Sequence, residues 1–367
     1  MKRALEIAAF ARGRTSPNPM VGAVIVKAGE MIAEGWHHKA GMPHAEREAL
    51  TAAGESARGA DMYVTLEPCS HYGRTPPCTD AIIEAGIKNV YIAVCDSNPL
   101  VAGKGIKKLE DAGIKTYLGL CEKEAIELNE VFFKWINSKM PFVTAKYAMT
   151  VDGKIAAKSG DSKWITGEDA RLEVHKMRDI NDAIMVGVGT VIADDPELTA
   201  RFIGGQNPVR IVLDSKCRIP SQSRLLHDGA AKTIIVVTEL ADEDKLKELK
   251  KNSKAEILKV PSKNNRVDLK SLMMYLPRID ITSVFVEGGG EIHAAMLEEG
   301  LVDKLHVFIA PKIIGGQLAP GPVSGSGIEK MASARQLYDM SLRWTGEDIL
   351  LTGYLGKEHI DVYRSCK

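Results

Sequence analysis

The sequence predicts an α/β protein of two domains, and three observations support this prediction. At 367 residues the chain is too long for a single ordinary hydrophobic core. In its first half, short apolar strands alternate with helical patterns, which indicates a sheet covered by helices. A short break at 137–141 ends in Pro141, after which a strand pattern opens the second half.

The elements of the first half follow from the spacing of its apolar residues. The opening Met1–Phe10 predicts a first amphipathic helix. Short runs of branched apolar residues predict three buried strands, at Val21–Val26, Asp61–Leu66 and Val90–Val94. Helical patterns lie between or after these strands, at Ala45–Ala53, Thr79–Ala85, Gly105–Ala112 and Glu122–Ile136. In the second half, Ala241–Lys251 predicts a charged surface helix.

Composition argues against several classes of protein. Lys plus Arg equals Asp plus Glu at 48 each, so no global field draws the chain to nucleic acid or to an acidic membrane. The six cysteines are thinly spread, which argues against a disulfide framework and favours a reducing cytoplasm. No apolar run approaches the roughly 18 residues of a membrane span. Glu6 interrupts the short apolar stretch near the start, so the opening does not resemble a targeting segment.

His44, Cys69 and Cys78 form a donor set typical of a catalytic zinc site. Zinc prefers nitrogen and sulfur ligands, and three protein ligands leave the fourth position open for water. Bound zinc lowers the pKa of that water towards neutrality, so the water can attack an electron-poor ring carbon. Cys78 precedes a helical pattern, and the dipole at a helix start stabilises a thiolate. The alternative is a pair of buried free thiols near an incidental histidine.

Glu46 carries the free carboxylate that such a reaction needs. Residues two apart on a helix do not share a face, so we expect Glu46 beside the metal rather than bound to it. From there it can carry a proton to the leaving amine. The order His-x-Glu, Pro-Cys, Cys predicts hydrolytic deamination of a nucleobase. The eight residues between Cys69 and Cys78 depart from the general zinc-deaminase motif, which has two.

The second half contains a glycine run after a strand pattern. Ser283–Glu287 predicts the strand, Gly288–Gly290 follows it, and Glu291–Leu297 predicts a helix. Glycines that open a helix let backbone amides approach a phosphate closely and direct the helix dipole at it. The pattern G-x-G-x-x-G is absent from the chain, so this is not the usual dinucleotide-binding turn. Taken alone, the run is equally compatible with a flexible turn.

The sequence resembles the family of bifunctional riboflavin-biosynthesis deaminase/reductases from about Leu5 to about Gly356. The segments Asn18–Val24, Gly35–His38 and Glu67–Cys78 resemble the deaminase half of this family, and the last of them has the long spacing between its two cysteines. Its reductase half is matched by Met149–Ala156, Ser162–Gly167 and Gly187–Pro196. The resemblance implies a cytidine-deaminase-like three-layer αβα domain at 1–138, a dihydrofolate-reductase-like α/β domain at 139–356, and a tail of unknown role at 357–367.

The resemblance also implies roles for residues of the first half. The three donor residues would hold one Zn²⁺ per chain, and Glu46 would be the catalytic proton shuttle. Asn18, His37 and Arg74 would contact a pyrimidine nucleotide, where the cation of Arg74 suits a phosphate. From the residues alone, Asn18 can equally serve as a turn residue before Pro19, and His37 as a surface histidine.

For the second half, the resemblance implies NADPH as the hydride donor. The residues that would border this cofactor are Ala148, Trp164, Thr190, Asp194, Ser215, Glu287, Gly289, Gly290, Glu291, Ile292, His293, Ala294 and Ala295. Those that would meet the substrate are Ser162, Arg178, Leu198 and Arg201. Guanidinium groups suit phosphate because they form two parallel hydrogen bonds with it. Some of these residues can instead have purely structural roles. Trp164 can be a core residue, Asp194 can only cap a turn, and Arg178 and Arg201 can face solvent.

The combined prediction is a two-step enzyme. The first half would deaminate 2,5-diamino-6-ribosylamino-4(3H)-pyrimidinone 5′-phosphate, and the second would reduce 5-amino-6-(5-phosphoribosylamino)uracil with NADPH. We expect small-molecule pyrimidine nucleotides as partners, no nucleic acid, no membrane, and assembly into a homo-oligomer. Two alternatives stay open: a tRNA or nucleoside deaminase joined to an unrelated oxidoreductase, and a one-activity relative whose other half is a scaffold. The sequence does not identify which residue of the second half donates the proton for the reduction.

Overall fold

The computed structural model describes residues 1–72, 76–98, 102–202 and 204–356. This part of the chain divides after Met140 into two compact units. We call residues 1–140 the first unit and residues 141–356 the second unit.

The first unit is built on a five-stranded sheet in the order β2-β1-β3-β4-β5. Its strands are β1 (Gly22–Lys27), β2 (Glu30–Trp36), β3 (Asp61–Val64), β4 (Asn89–Ile92) and β5 (Lys115–Leu118). Strand β1 runs antiparallel to β2 and β3, whereas β3, β4 and β5 are parallel. The helices are α1 (Lys2–Ala8), α2 (Ala45–Ala53), α3 (Cys78–Glu84), α4 (Lys104–Asp111), α5 (Glu122–Leu128) and α6 (Glu130–Ser138).

Helices cover both faces of this sheet. Ile25 of β1 is buried in one core with Ala49, Ile82 and Leu109, which come from α2, α3 and α4. Its neighbour Val24 points to the opposite face, as the two-residue period of a strand requires, and packs in a cluster with α1. Helices α5 and α6 pack beside α1. The expected three-layer αβα arrangement is therefore confirmed.

The second unit contains a nine-stranded sheet in the order β10-β9-β8-β7-β13-β6-β14-β16-β15. Its strands are β6 (Phe142–Thr150), β7 (Ala183–Gly187), β8 (Val209–Leu213), β9 (Thr233–Val237), β10 (Glu256–Lys259), β13 (Ser283–Val286), β14 (Lys304–Ala310), β15 (Tyr338–Thr345) and β16 (Asp348–Tyr354). A small separate ribbon pairs β11 (Ser262–Lys263) with β12 (Arg266–Val267). The helices are α7 (Glu168–Ile180), α8 (Val188–Asp194), α9 (Glu243–Asn252), α10 (Leu269–Tyr275) and α11 (Gly290–Glu298).

The centre of this second sheet is parallel and its far edge is antiparallel. Strands β8, β7, β13, β6 and β14 follow one another in parallel, and β16 and β15 complete the sheet as antiparallel neighbours. Helix α7 buries Met177 against Phe285 and Phe308 of the sheet. Helix α9 buries Leu246 and Leu249 in another core. Because ligands bind beyond the carboxyl ends of parallel strands, the turns after β13, β7 and β8 are where a site is expected.

The predicted helix Glu122–Ile136 is wrong in one respect, because two helices occupy this region. Helix α5 ends at Leu128 and α6 begins at Glu130. The break lies at Asn129, whose side chain accepts a hydrogen bond from the Met20 N–H at 2.7 Å and donates one to the Met20 carbonyl at 2.9 Å. The helical pattern could not show this break because the partner backbone lies 109 residues away in sequence.

The structure shows the state of the cysteines and the character of the helices. Cys69, Cys78, Cys121 and Cys217 are free, whereas Cys95 takes part in a disulfide bond. One disulfide-bonded cysteine among the described residues is not the framework of several disulfide bonds that stabilises small secreted domains. Among the described residues, no helix combines the length and apolar character needed to cross a membrane.

We predict that Asn129→Ala destabilises the first unit. Asn129 is buried, and its removal leaves the Met20 N–H and carbonyl without their partners, which should cost about 1–3 kcal/mol in the free energy of unfolding. Urea denaturation followed by circular dichroism measures the loss. Asn252→Ala, at the exposed end of α9, is the control and should leave the curve unchanged. Equal curves for both variants would contradict the role given to Asn129.

Candidate active sites

Three donor side chains of the first unit converge on one point. His44 immediately precedes α2, Cys69 lies in the segment after β3, and Cys78 is the first residue of α3. His44 Nδ1 lies 3.6 Å from Cys69 Sγ and 3.3 Å from Cys78 Sγ. All three donor atoms lie within 4.8 Å of one another. One imidazole nitrogen and two sulfurs are a donor set that fits Zn²⁺.

The local structure favours deprotonation of one thiol. Cys69 Sγ accepts a hydrogen bond from the Cys78 backbone N–H at 3.3 Å. The pKa of Cys69 is lowered, chiefly because the Cys78 thiol donates a hydrogen bond to it, with a further contribution from His44. Thr79, on the first turn of α3, donates from its hydroxyl to the Cys69 carbonyl at 3.3 Å. The start of α3 therefore holds Cys69 as well as Cys78, which agrees with their predicted role as metal ligands.

Glu46 lies buried on the first turn of α2, beside the donor cluster rather than in it. Burial raises the pKa of Glu46 to about 7, and the nearby Cys69 adds to this rise. A carboxyl group whose pKa lies near neutrality can both accept and release a proton. The structure places Glu46 beside the three donor residues and outside their cluster, and its role beside a bound metal stays a prediction.

Asn18 and His37 lie together next to this cluster. His37 Nδ1 lies 3.0 Å from the Pro43 carbonyl, so this nitrogen donates and Nε2 can accept from the Asn18 amide at 3.2 Å. Burial lowers the pKa of His37, which keeps the ring neutral. The ring centroids of His37 and His44 are 5.4 Å apart. His37 is buried, so the alternative of a surface histidine is wrong. Arg74, the third predicted substrate contact, lies outside the described residues.

Glu67 is a buried residue of this region that the sequence analysis did not identify as functional. It is buried, and its two carboxylate oxygens accept backbone N–H bonds from Asp96, Gly103, Gly105 and Ile106 at 2.8–3.2 Å. These bonds attach the segment that carries Cys69 to the start of α4. A Cβ on Gly105 would lie 2.1 Å from the Pro68 carbonyl, so only glycine permits this approach. The only sequence signal was the position of Glu67 directly before Pro68 and Cys69.

A cavity of about 920 Å³ lies beyond the carboxyl ends of β7, β8 and β13 in the second unit. Of the residues predicted to border the cofactor, those that line it are Thr190, Asp194, Ser215, Gly289, Gly290, Glu291, Ile292 and Ala295. The others, which do not line it, are Ala148, Trp164, Glu287, His293 and Ala294. The glycine run lies where β13 ends and α11 begins, as the pattern indicated. A Cβ on Gly290 would lie 2.3 Å from Ser324 Oγ and 3.1 Å from the Gly321 carbonyl oxygen and the Ser324 backbone nitrogen, so a side chain at this position would be crowded.

A buried charged cluster lies at the end of β13. Arg178 donates from Nε and Nη2 to the two Glu287 oxygens at 2.6 and 2.9 Å, and from Nη1 to the Thr199 carbonyl at 3.0 Å. Lys146 Nζ lies 3.9 Å from Glu287, and burial lowers the pKa of Lys146. Arg178 is therefore not the solvent-facing residue of the alternative interpretation. Its contact with the substrate stays a prediction, since most of its donors already have partners in the protein.

The remaining predicted residues lie in several places. Trp164 is 62% exposed, so it is not a core residue. The Cζ atom of Arg171 lies over its ring, 4.6 Å from the ring centroid. Leu198 is buried, whereas Arg201 is exposed and lines a second cavity of about 730 Å³. Ser162 is half-buried in the segment before Trp164. The structure thus brings the glycine turns and Ser215 into one cavity but does not add these substrate residues to it.

Both halves of the chain are similar to known proteins. Residues 1–94 match the family described as "Cytidine and deoxycytidylate deaminase zinc-binding region". Residues 141–351 match the family described as "RibD C-terminal domain". A "Riboflavin biosynthesis protein RibD" from Actinobacillus pleuropneumoniae is 46% identical over 96% of this chain and 93% of its own length. The protein of the same name from Aquifex aeolicus is 45% identical over 96% of both chains.

Solved structures agree with these sequence matches. Acinetobacter baumannii RibD is 38% identical, covers 97% of this chain and 98% of its own, and superimposes with a TM-score of 0.85. A Thermotoga maritima diaminohydroxyphosphoribosylaminopyrimidine deaminase/5-amino-6-(5-phosphoribosylamino)uracil reductase is 38% identical over 97% of both chains, also with a TM-score of 0.85.

The fold and the two sites define a zinc hydrolase of the deaminase type joined to an oxidoreductase. The chain belongs to the RibD family of bifunctional riboflavin-biosynthesis deaminase/reductases. Both the predicted family and the predicted pair of folds are confirmed. The alternatives, an unrelated fusion and a one-activity relative, are not favoured. The family matches agree with a zinc site and a nicotinamide cofactor.

We predict that His44→Ala and Cys78→Ser lose stoichiometric zinc, because each removes one of three donor atoms. Elemental analysis of the purified variants by mass spectrometry measures the metal content. Cys121→Ser, a free cysteine outside the cluster, is the control and should keep its zinc. Full zinc occupancy in His44→Ala would show that the metal is held elsewhere.

Proposed function

We propose that the first unit hydrolyses the 2-amino group of 2,5-diamino-6-ribosylamino-4(3H)-pyrimidinone 5′-phosphate, with release of ammonia. The second unit then reduces the ribosyl group of 5-amino-6-(5-phosphoribosylamino)uracil to a ribityl group with NADPH. The observation that supports this proposal most directly is the buried Glu46 beside the donors His44, Cys69 and Cys78. The names of the similar proteins supply the substrates.

In the deamination, Glu46 moves the protons. Zinc held by the three donors supplies the acidity that makes water nucleophilic at neutral pH. Glu46 accepts a proton from the water that adds to the pyrimidine ring and delivers it to the amino group, which leaves as ammonia. The raised pKa of Glu46 suits both transfers, since the proton is bound and released near neutrality. Burial of Glu46 also keeps bulk water from competing for that proton.

Asn18 and His37 orient the pyrimidine in this account. The Pro43 carbonyl fixes His37 as an acceptor at Nε2, and that nitrogen holds the Asn18 amide. No other side-chain partner holds the carbonyl oxygen of Asn18 within the described residues, so it can accept an N–H from the pyrimidine. Arg74 is proposed to hold the phosphate of the same nucleotide.

In the reduction, NADPH supplies a hydride, and the chain must supply a proton. The C1′–O4′ bond of the ribosyl group breaks, C1′ accepts the hydride, and O4′ accepts the proton. Lys146 is suited to donate that proton because its ammonium group lies at the end of β13 beside Glu287 and its pKa is lowered. Arg178 donates two hydrogen bonds to Glu287 and so fixes the position of the carboxylate next to Lys146.

NADPH is proposed to occupy the cavity beyond β7, β8 and β13. The start of α11 would hold its pyrophosphate through backbone amides, because the first amides of a helix have no partners within that helix. Ser162, Leu198 and Arg201 remain the proposed contacts of the nucleotide substrate, and Trp164 remains a proposed contact of the cofactor.

A homo-oligomer is proposed as the assembled state. Strand β15 lies at the end of the sheet order and has a free edge among the described strands. Its side chains at Met340, Leu342 and Trp344 share one face, by the two-residue period, and are 62–72% exposed. A row of exposed apolar side chains on a free edge is typical of a surface that a second chain covers. Absence of nucleic acid and membrane partners, and a cytoplasmic location, stay predictions.

We predict that Glu46→Gln slows ammonia release by about a hundredfold or more, because the amide cannot shuttle a proton. The variant should retain its zinc, and it should oxidise NADPH normally when given the deaminated nucleotide. A coupled ammonia assay and absorbance at the NADPH band follow the two steps separately. Unchanged ammonia release would remove Glu46 from the mechanism.

We predict that Lys146→Met slows the reduction by about a hundredfold or more while deamination continues. The wild-type rate should fall as pH rises through the lowered pKa of Lys146, because only the ammonium form donates. Stopped-flow absorbance of NADPH measures both effects. Lys158→Met, at an exposed position of the same unit, is the control. If Lys146→Met kept the alkaline fall in rate, another group would be the donor.

We predict that Leu342→Glu and Trp344→Glu reduce the sedimentation coefficient of the protein, since each places a charge on the proposed contact surface. Analytical ultracentrifugation measures the change. Met274→Glu, which alters another exposed methionine of the second unit, should sediment as the wild type does. A wild-type chain that sediments as a monomer would contradict the proposed assembly.

A further inference from the structure

The disulfide bond of Cys95 requires a second cysteine, and elimination within the chain leaves one candidate. The sequence contains six cysteines. Cys95 is bonded, and four others are free, namely Cys69, Cys78, Cys121 and Cys217. The remaining one is Cys366, in the C-terminal tail formed by residues 357–367, which lies outside the described residues.

Cys95 lies beside the segment that carries the donor Cys69. It is 4% exposed and comes three residues after the end of β4. Its Sγ lies 3.0 Å from Glu67 Oε2, and the Glu67 carboxylate also accepts the backbone N–H groups of Gly103 and Gly105. A segment bonded to Cys95 is therefore attached next to the carboxylate that supports the Cys69 segment.

Helix α6 lies along the same part of the first unit. Asn137 of α6 donates from Nδ2 to Ser97 Oγ at 3.2 Å, and α6 packs in one core with Val94. The helix ends at Ser138, and three residues separate it from the start of β6. The chain thus runs by a short connection from the neighbourhood of Cys95 to the start of β6.

The end of β16 lies near that same start of β6. In the second sheet only β14 separates β6 from β16, so the two strands are about 10 Å apart. Lys304 of β14 is paired with Thr144 on one side and with Tyr354 on the other. Its Nζ lies 4.7 Å from the ring centroid of Tyr354 and 5.9 Å from that of Phe142. Gly356, two residues after Tyr354, therefore follows a position beside the start of β6.

The tail is long enough to return from there to Cys95. Cys366 follows Gly356 by ten residues, and an extended chain covers about 3.3 Å per residue, or about 33 Å in all. Apolar and polar residues alternate from His359 to Val362, a pattern that predicts an extended segment. This reach exceeds the separation of β16 from β6 and leaves more than half of the tail for the path along α6.

We infer that Cys95 and Cys366 form a disulfide bond that fastens the C-terminal tail to the first unit beside α6. Each thiol loses one proton, and the pair loses two electrons to a low-molecular-weight disulfide such as oxidised glutathione, which is reduced to two thiols. In the reducing compartment predicted for this protein such a bond is reversible, so the tail is fastened in the oxidised protein and released in the reduced one. The released Cys95 thiol can donate a hydrogen bond to Glu67, which a disulfide sulfur cannot.

Peptide mapping by mass spectrometry tests the pairing. Protein treated with oxidised glutathione, blocked with N-ethylmaleimide and digested with trypsin should yield residues 89–104 joined to residues 365–367, a species that disappears on reduction. Cys366→Ser should lose this species, and Cys121→Ser, which alters a free cysteine, should keep it. Absence of the joined species, or a bond from Cys95 to any other cysteine of the same or a second chain, would overturn the inference.

Hydrogen exchange tests whether the bond holds the tail on the first unit. Amides of residues 357–367 should exchange about tenfold faster or more in Cys366→Ser, and in reduced wild-type protein, than in the oxidised wild type, because the tail loses its attachment. Cys121→Ser should exchange as the wild type does in either state. Equal exchange in oxidised and reduced wild type would show that the bond does not fasten the tail. Neither measurement involves turnover, so both are independent of the proposed reactions.

Discussion

The convergence of one imidazole and two thiols is the constraint on which the first unit depends. His44, Cys69 and Cys78 come from the approach to one helix, a loop and the start of another helix, yet their donor atoms lie within 4.8 Å of one another. Such proximity of two thiols and an imidazole is stable when a metal joins them or when the surrounding structure holds them in place. Glu67 provides part of that support, because its buried carboxylate attaches the Cys69 segment to the backbone of α4.

The second unit relies on a different device, in which backbone turns rather than ligand side chains form the site. The turns after β13, β7 and β8 line a single cavity, and their chemistry changes along it from the glycines at α11 to the cations after β8. Next to the glycine turn, Arg178, Glu287 and Lys146 form a charged cluster in which each charge has an opposite neighbour. Buried charges are tolerated when they are paired in this way.

Local signals in the sequence predicted much of this structure. The alanine-rich pattern gave α2 with the bounds Ala45–Ala53, and the glycine run predicted the turn into α11. What the sequence could not show depends on distant partners. The break at Asn129 is set by Met20, and the Arg178–Glu287 pair joins positions 109 residues apart. Lys146 carries no motif, and only the pairing of β6 with β13 places it beside Glu287.

The most direct test of the central claim is X-ray absorption spectroscopy at the zinc edge of the purified protein. The account predicts a four-coordinate shell with two sulfurs at about 2.3 Å, one histidine nitrogen at about 2.0 Å and one further light atom that belongs to solvent. A shell of four protein donors, or a shell without sulfur, would contradict the claim that His44, Cys69 and Cys78 leave one position open for water.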